Sequence, residues 1–200
     1  MKQISINGTA RTDLGKKATK EIRKNGNVPC VIYGEKKDEK GAPVAIHFSV
    51  SEKEINKLIY TPHIYLVDIN IDGEDHKAVL KEVQFHPVKD EILHIDFYRV
   101  QSGKPVAIDI PVKLVGNSEG VKLGGKLAQS KRKLRVSGLV ENLPDELTID
   151  ITDLGIGKSI FVGDLHYDNL TLLTPATTAI CAVRVTRASR GAAAAAEASK

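Results

Sequence analysis

Residues 11–34 read RTDLGKKATKEIRKNGNVPCVIYG. This segment places a crowd of lysine and arginine before the apolar run VPCVIYG, with Gly26 between the two halves. A glycine at this point is typical of a helix C-terminus, because it adopts a positive φ without steric strain. We therefore predict a basic helix from about Lys16 to Asn25, followed by a short buried strand at 28–34.

The predicted helix carries its positive charge on one side. At about 100° per residue, its cations fall within an arc of roughly 120°. These cations are Lys16, Lys17, Lys20, Arg23 and Lys24. Ala18 and Ile22 fall on the opposite side, where a core-facing stripe belongs. Two interpretations follow for the cationic side: a face that contacts phosphate groups, or a lysine-rich face that is merely solvated.

The crowding of like charge favours the first interpretation. Like charges three or four residues apart destabilise a helix by roughly 0.2–0.5 kcal/mol per pair, so a helix selected only for stability would mix signs. Gly15 stands just before the helix. Free backbone amides and the positive end of the helix dipole begin after it, and both attract phosphate.

Positive charge is concentrated in two segments of an otherwise balanced chain, whose formal net charge is +4. Residues 11–24 hold six Lys and Arg against two acids, a surplus equal to the net charge of the whole chain. Residues 120–140 contain no acid and carry a second basic cluster: Lys122, Lys126, Lys131, Arg132, Lys133 and Arg135. Two localised basic patches indicate a polyanionic partner.

The composition is that of a globular, β-rich chain. Hydrophobic residues make up 42% of the chain and charged residues 27%, but aromatic residues only 4%, so the core must consist mainly of strand-favouring Val, Ile and Leu. Cys30 and Cys181 lie far apart in apolar runs, and we predict buried, reduced thiols. The first residues lack an apolar signal core and no stretch reaches the length of a membrane span. We therefore expect a cytoplasmic protein without a membrane partner.

Periodicity predicts strands through the first half of the chain. Alternation predicts strands near residues 3–10 and in PVAIHFSV, and Ser51 three residues before Glu54 has the spacing of a capping box that starts a second helix. HIYLVDINI and HKAVLKEVQF flank an Asp-Gly turn at Asp72, which predicts a hairpin. The charged segment EKKDEKGA at 35–42 predicts a solvated loop between strands.

The second half predicts an all-β domain. After a polar link near residue 101, short apolar runs are punctuated by Gly, Pro, Asp and Asn. These runs are PVAIDIPVKLVG, KLRVSGLVENLP, ELTIDITDL, KSIFVGDL, NLTLLTP and AICAVRVTR. The end, ASRGAAAAAEASK, has too few large apolar groups to fold on a core. We therefore predict a mainly β protein with a few helices, divided into residues 1–100, residues 101–187 and an Ala-rich flexible tail at 188–200.

The strand ILHIDFYRV has two chemically different faces. Alternation points Leu93, Ile95 and Phe97 to one face, which belongs in a core, and His94, Asp96 and Tyr98 to the other. The polar face could be a catalytic pair, a metal site, a base-reading surface or an ordinary strand exterior.

Chemistry separates these alternatives. A catalytic His-Asp pair needs an adjacent nucleophile, and no Ser or Cys stands in a sharp Gly-flanked turn. A metal site would need His86 beside His94, a spacing that matches no compact ligand pattern. Asp96, in contrast, can accept hydrogen bonds from base donors such as the cytosine amino group, while a histidine stacks or bonds beside it. We predict no catalytic residue and no metal ligand.

Gly120–Leu127, GVKLGGKL, nearly matches a nucleotide-binding loop. It fits the first seven positions of G-x-x-x-x-G-K-[ST] and fails at the eighth, because Leu127 offers no hydroxyl for magnesium. We interpret it as a Gly-rich loop before a basic strand and predict no cofactor.

Segments from both halves resemble one family. RTDLGKKATKEIRKNGNVPCVIYG and FHPVKDEILHIDFYRV resemble the bacterial large-subunit ribosomal protein that binds 5S rRNA, in its long form, also known as the general stress protein CTC family. IPVKLVGNSEGVKLGG and LRVSGLVENLPDELTIDITDLGIGKSIFVGDL resemble the added β domain of the long form. The resemblance implies an N-terminal antiparallel β-barrel-like RNA-binding domain at 1–100 and a β-rich C-terminal domain at 101–187.

The resemblance also implies particular RNA contacts. These are Arg11, Lys16, Thr19, Lys20, Arg23, Tyr33, His94 and Asp96, to which the charge of the helix adds Gly15 and Lys17. The chain departs from the family at Lys20-Glu21, where members often carry adjacent arginines. Lysine lacks the planar two-pronged contact of arginine, and phosphate repels Glu21 unless its side chain points aside.

The leading hypothesis is therefore a non-enzymatic structural component of the large ribosomal subunit that binds 5S rRNA through the basic helix and the His-Asp strand face. The alternative is a β-rich protein-interaction or stress-adaptation module acting with the ribosome. Expected partners are 5S rRNA and, through the C-terminal domain, large-subunit proteins or other rRNA. Off the ribosome we expect a monomer.

Overall fold

The computed structural model describes residues 1–34, 44–101, 103–167 and 169–187. The predicted loop at 35–42 and the predicted tail at 188–200 lie outside these ranges. The chain forms two compact units, Met1–Ile108 with Leu139–Asp145, and Asp109–Gly138 with Glu146–Lys200. The domain limits expected from the sequence stay a prediction.

Most of the first unit is made of strands. Its elements are β1 (Lys2–Ala10), α1 (Lys16–Lys24), β2 (Asn27–Tyr33), β3 (Ile46–Ser51), α2 (Glu52–Ile59), β4 (Tyr65–Ile71), β5 (Glu74–Phe85) and β6 (Ile92–Arg99). The strands form a closed barrel in the order β1-β3-β2-β6-β5-β4. Four pairings are antiparallel, whereas β1–β4 and β2–β6 are parallel. The predicted mainly β fold with an N-terminal barrel is confirmed.

The barrel closes around a dry aliphatic and aromatic core. Phe48 and Phe97 are fully buried, with ring centroids 5.9 Å apart. A Cβ at Gly8 would lie 2.7 Å from the Phe48 ring, so β1 passes this ring only because the residue is glycine. Cys30 is also fully buried and free, as predicted, and burial raises the pKa of its thiol.

The turns and helix ends follow local sequence chemistry. Gly26 has a φ of 75° and follows α1, which confirms it as the C-terminal stop. Asp72 and Gly73 both have positive φ, as a type I′ hairpin turn requires, and they join β4 to β5. Ser51 precedes α2 as predicted, but the side-chain bond of a capping box does not form. Glu54 instead accepts the amide hydrogen of Asn7 at 3.3 Å.

One residue of β6 departs from the expected alternation. The structure buries Ile92 and leaves Leu93 only partly buried. The register explains the difference, because Gln84 pairs with His94 while its neighbour Phe85 pairs with Ile92. Leu93 is therefore the extra residue of a β-bulge, and the period of two is interrupted there.

The second unit consists of two small sheets. Its elements are β7 (Val106–Val115), which begins in the first unit, α3 (Glu119–Lys122), β8 (Lys126–Gln129), β9 (Lys133–Gly138), β10 (Leu147–Asp150), β11 (Ser159–Phe161), β12 (Leu170–Leu172) and β13 (Ala179–Arg184). A short 3₁₀ turn occupies Val162–Asp164, and another, Val140–Asn142, lies in the segment that belongs to the first unit. One sheet has the order β10-β7-β9-β12 and the other β11-β13-β8. Strand β8 was not predicted from the sequence, because KLAQ is short and only weakly apolar.

Candidate RNA interface

Helix α1 turns a cationic face to solvent. Ala18, Thr19 and Ile22 are partly buried, and the helix packs on β2. All of its cations are exposed, namely Lys16, Lys17, Lys20, Arg23 and Lys24. Among the described residues, none of these lysines pairs with an acid. The one-sided arrangement expected from the helical wheel is therefore present.

The N-terminus of α1 is open to a ligand. Gly15 is the N-cap residue, no side chain caps the helix, and a Cβ at Gly15 would meet nothing within 4 Å. The hydroxyl of Thr19 donates to the carbonyl oxygen of Gly15 at 3.0 Å, which leaves the hydroxyl oxygen free to accept a bond. The first backbone amides of the helix thus point into solvent beside Lys16 and Lys17.

Arg23 connects this helix to the strand that carries the His-Asp pair. Its Nε donates to the carbonyl oxygen of Leu93 at 3.0 Å. The acceptor is available because Leu93 occupies the bulge of β6, where ladder pairing is interrupted. Since Leu93 is adjacent to His94, the cationic helix and the polar face of β6 belong to one surface.

The polar face of β6 continues across neighbouring strands. His94 Nδ1 lies 2.8 Å from Asp96 Oδ1, and the two side chains are 23% and 24% exposed. Asp96 pairs with Val31 of β2, and Val31 pairs with His47 of β3. His94, Asp96 and His47 therefore form part of one outer surface of the barrel. His47 was not among the RNA contacts predicted from the sequence. Its alternation with the buried Phe48 is the signal that places it on the outer surface.

Arg11 lies at the end of this row of strands. Its backbone amide donates to the carbonyl oxygen of His47 at 3.0 Å. Its Nε and Nη1 are buried without a hydrogen-bond partner among the described residues. Burial lowers the pKa of Arg11, the neighbouring Cys30 opposes this shift, and Arg23 adds to it. Two guanidinium donors are thus left unsatisfied, and because both nitrogens are buried, an anion could bind them only if the Arg11 side chain moved.

His47 lies in the same positive environment. Burial, followed by the proximity of Arg11 and of His94, lowers its pKa. The neutral imidazole is therefore favoured, and His47 adds a polar group rather than a charge to the surface.

Tyr33 forms an aromatic cluster at the edge of this surface. Its ring meets that of Tyr98 edge-on, with centroids 6.2 Å apart and planes at 83°. Lys81 Nζ lies 5.1 Å from the Tyr33 centroid and 5.5 Å from that of Tyr98. Lys81 is not predictable from strand alternation, because it is the extra residue of a bulge in β5 between Leu80 and Glu82.

The metal site considered at His86 has no support among the described residues. His86 Nδ1 accepts the amides of Val88 and Lys89, each at 3.2 Å, so His86 stabilises a turn. In the part of the chain that the structure describes, no cluster of three or more His, Cys, Asp or Glu could hold a metal ion. The described helices also include none long and apolar enough to cross a membrane.

The GVKLGGKL segment does not form a phosphate-binding loop. The Gly125 amide donates to the carbonyl oxygen of Gly120 at 2.8 Å, and the Gly124 amide donates to that of Val121 at 3.0 Å. A Cβ at Gly120 would lie 2.7 Å from the backbone at Gly155. The glycines therefore permit close backbone packing, and these amides have no free hydrogen for a phosphate.

A closed barrel with a one-sided cationic helix beside a polar strand face presents a surface suited to a polyanion such as a nucleic acid. Comparison with protein families agrees with this inference. Residues 6–97 match the Ribosomal L25p family, and residues 105–187 match the family described as Ribosomal protein TL5, C-terminal domain.

Curated relatives resemble the chain over nearly its whole length. The large ribosomal subunit protein bL25 of Phocaeicola vulgatus is 55% identical over 90% of this chain and 91% of the relative. The proteins of the same name from Bacteroides thetaiotaomicron and Porphyromonas gingivalis are 49% and 47% identical, over 90% of this chain and 91% and 92% of their own lengths. The chain belongs to the Ribosomal L25p family. The family resemblance seen in the sequence and the prediction of a non-enzymatic protein are confirmed.

Proposed function

We propose that this protein is a structural component of the large ribosomal subunit and binds 5S rRNA through α1 and the outer face of β2, β3 and β6. The hydrogen bond from Arg23 Nε to the Leu93 carbonyl carries the proposal, because it joins the phosphate-binding helix to the His94–Asp96 pair. The proposed contacts are Arg11, Gly15, Lys16, Lys17, Thr19, Lys20, Arg23, Tyr33, His94 and Asp96.

The two parts of the surface do different work. The exposed lysines and free amides of α1 neutralise phosphates and set the position of the RNA, without reading its sequence. The His94–Asp96 pair presents a carboxylate to base donors. His94 Nδ1 lies 2.8 Å from Asp96 Oδ1, close enough to orient the carboxylate. Tyr33 adds a ring on which an unpaired base can stack.

Glu21 is the one unfavourable charge on the helix. It is exposed and lies at the margin of the cationic arc, next to Lys20. A carboxylate there weakens the attraction of phosphate without occupying the centre of the face. We infer that Arg11 and Arg23, which can make two-pronged phosphate contacts, carry more of the affinity than Lys20 does.

In this proposal the second unit binds further partners on the ribosome. The mixed charge at its four-stranded sheet, where Lys113 Nζ lies 2.7 Å from Glu146 Oε1, suits contacts with large-subunit proteins, and the cations of its other sheet suit rRNA. Assembly on the ribosome would place the protein in the cytoplasm.

Titration of the full chain with 5S rRNA at several salt concentrations tests the RNA surface. We expect log K to fall with log salt by about 0.7–0.9 per neutralised phosphate. Replacing Arg11, Lys16, Lys20 and Arg23 together by Ala should remove most of this slope and most of the affinity.

A charge-matched control uses four exposed lysines of other elements in the first unit: Lys2, Lys53, Lys57 and Lys77. Their replacement by Ala should change the salt slope much less. Equal reductions in the two variants, or an affinity indifferent to salt, would contradict the assignment of α1 as the RNA-binding element.

A further inference from the structure

The second unit carries a cluster of cations drawn from three separate segments of the chain. β8 and β13 pair antiparallel, with Arg184 directly opposite Lys126, and both are exposed. Lys122 ends α3, which packs on β8. The carbonyl oxygen of Lys158 accepts the amide of Val183 at 3.0 Å, so the backbone of Lys158 lies next to Val183, the residue before Arg184. We call Lys122, Lys126, Lys158 and Arg184 the sheet-end cluster.

Within the described residues no acid forms an ion pair with the sheet-end cluster, although Glu119 lies on the same helix as Lys122. Lys113 and Arg135 of the same unit lie close to Glu146 and Asp109, but none of the four cluster cations forms an ion pair. Like charges directly opposite on neighbouring strands destabilise a sheet. The Lys126–Arg184 pair therefore lowers the stability of the fold, and no ion pair compensates for it among the described residues. An anionic partner would remove this repulsion.

The surface beside the pair is flat. By strand alternation, Ala128 and Ala182 share the face of Lys126 and Arg184, and they lie directly opposite one another. Ser159 of β11 pairs with Ala182 and extends this strip of small side chains. A polymer backbone could approach the sheet there without a steric obstacle.

The sheet-end cluster differs from the basic stretch visible in the sequence. Lys133 and Arg135 belong to β9, in the four-stranded sheet, and Arg135 Nε lies 3.9 Å from Asp109 Oδ1. Lys126 belongs to the other sheet. The contiguous basic residues are thus divided between two sheets, whereas Lys158 and Arg184 join from distant positions.

We propose that the sheet-end cluster is a second contact surface for the phosphate backbone of RNA, separate from the α1 surface. Phosphates would meet cations on both strands of the flat strip and release counterions. An RNA partner suits this chain because the chain belongs to a ribosomal family and the cluster consists of cations, the groups that contact RNA phosphates.

The test uses the full chain with the α1 surface neutralised by K16Q, K20Q and R23Q, so that its result does not depend on 5S rRNA binding by α1. This background protein is titrated with a plain RNA duplex at several salt concentrations. Adding K122Q, K126Q, K158Q and R184Q should reduce the slope of log K against log salt by about 0.7–0.9 for each phosphate that the protein no longer neutralises.

The matched control in the same background carries K131Q, R132Q, K133Q and R135Q, which remove the same charge. It should reduce the slope less. An unchanged slope in the cluster variant, or equal reductions in both variants, would overturn the proposal in favour of no contact or of diffuse charge.

A folding measurement guards against an indirect effect. Removing the like-charge pair should leave the thermal midpoint of K126Q equal or higher. Weaker RNA binding by K126Q at an unchanged or raised midpoint supports the surface. Full RNA binding by well-folded K126Q and R184Q proteins overturns it.

Discussion

At the scale of single residues, the proposed interface depends on side chains whose hydrogen bonding is determined by their neighbours. Arg11 has guanidinium nitrogens buried without partners among the described residues, and Asp96 is held by His94 at 2.8 Å. The unsatisfied nitrogens of Arg11 cost stability in the free protein. Asp96, in contrast, has His94 as a neighbour and is still partly exposed.

Asp96→Asn tests base reading directly. The amide keeps the size of the carboxylate but has one acceptor oxygen instead of two and no negative charge, so a bond to a base amino group is weakened. We expect discrimination between 5S rRNA and an RNA with an altered internal loop to fall by about 1–3 kcal/mol. Parallel titrations of both RNAs measure this. An equal decrease in affinity for both RNAs would mean that Asp96 does not read bases.

Gly34→Ala tests the support of the tyrosine cluster. Gly34 has a φ of 128°, and a Cβ there would lie 2.7 Å from Cε2 of Tyr98. Backbone strain alone costs about 1–3 kcal/mol, and the clash adds to it and displaces the ring beside Tyr33. Urea unfolding should show the lowered stability, and 5S rRNA affinity should fall as well.

Gly73→Ala is the control for that substitution. Gly73 also has a positive φ, 97°, but a Cβ there would meet nothing within 4 Å. Its decrease in stability should reflect strain without the clash and leave RNA affinity unchanged. If both variants behave alike, the Tyr98 contact has no role.

At the scale of secondary-structure elements, α1 and β6 work as a pair. The helix supplies charge and free amides, and the strand supplies the polar face, while the bulge at Leu93 exposes the carbonyl that binds Arg23. In a regular strand, that carbonyl would accept a hydrogen bond from a neighbouring strand or point to the other side of β6. The bulge is therefore part of the proposed interface and not a defect of the barrel.

Arg23→Lys tests this connection with the charge kept. Arginine can donate from Nε to Leu93 and present its two amino groups to phosphate, whereas a lysine that bonds the carbonyl uses its only charged group. We expect 5S rRNA affinity to fall by about 1 kcal/mol or more, with urea stability reduced by less. Lys24→Arg, a conservative change on the same helix, should not weaken binding. Unchanged affinity in the Arg23→Lys protein would show that the bridge is dispensable.

At the scale of the whole molecule, the chain uses two kinds of β architecture for two kinds of surface. The first unit closes its sheet into a barrel, which leaves no open edge and gives the proposed RNA-facing strands a rigid support. The second unit has two small open sheets; among the described residues, charges are paired on one and unpaired at the end of the other. Proposed RNA contacts thus occur in both units.

The sequence alone determined much of this protein, because many of its signals are local. The amphipathic period of α1, the Gly26 stop and the Asp-Gly turn at Asp72 depend on residues within one or two turns of chain, and each appeared as expected. The polar face of His94 and Asp96 followed in the same way from strand alternation.

Only the tertiary structure decided which distant groups meet. The parallel pairing of β2 with β6, the bulge that frees the Leu93 carbonyl and the approach of Lys81 to Tyr33 depend on register between strands far apart in sequence. The same holds for Lys126 opposite Arg184. A one-dimensional pattern shows which face a side chain takes, but packing and backbone hydrogen bonds select its neighbours across the sheet.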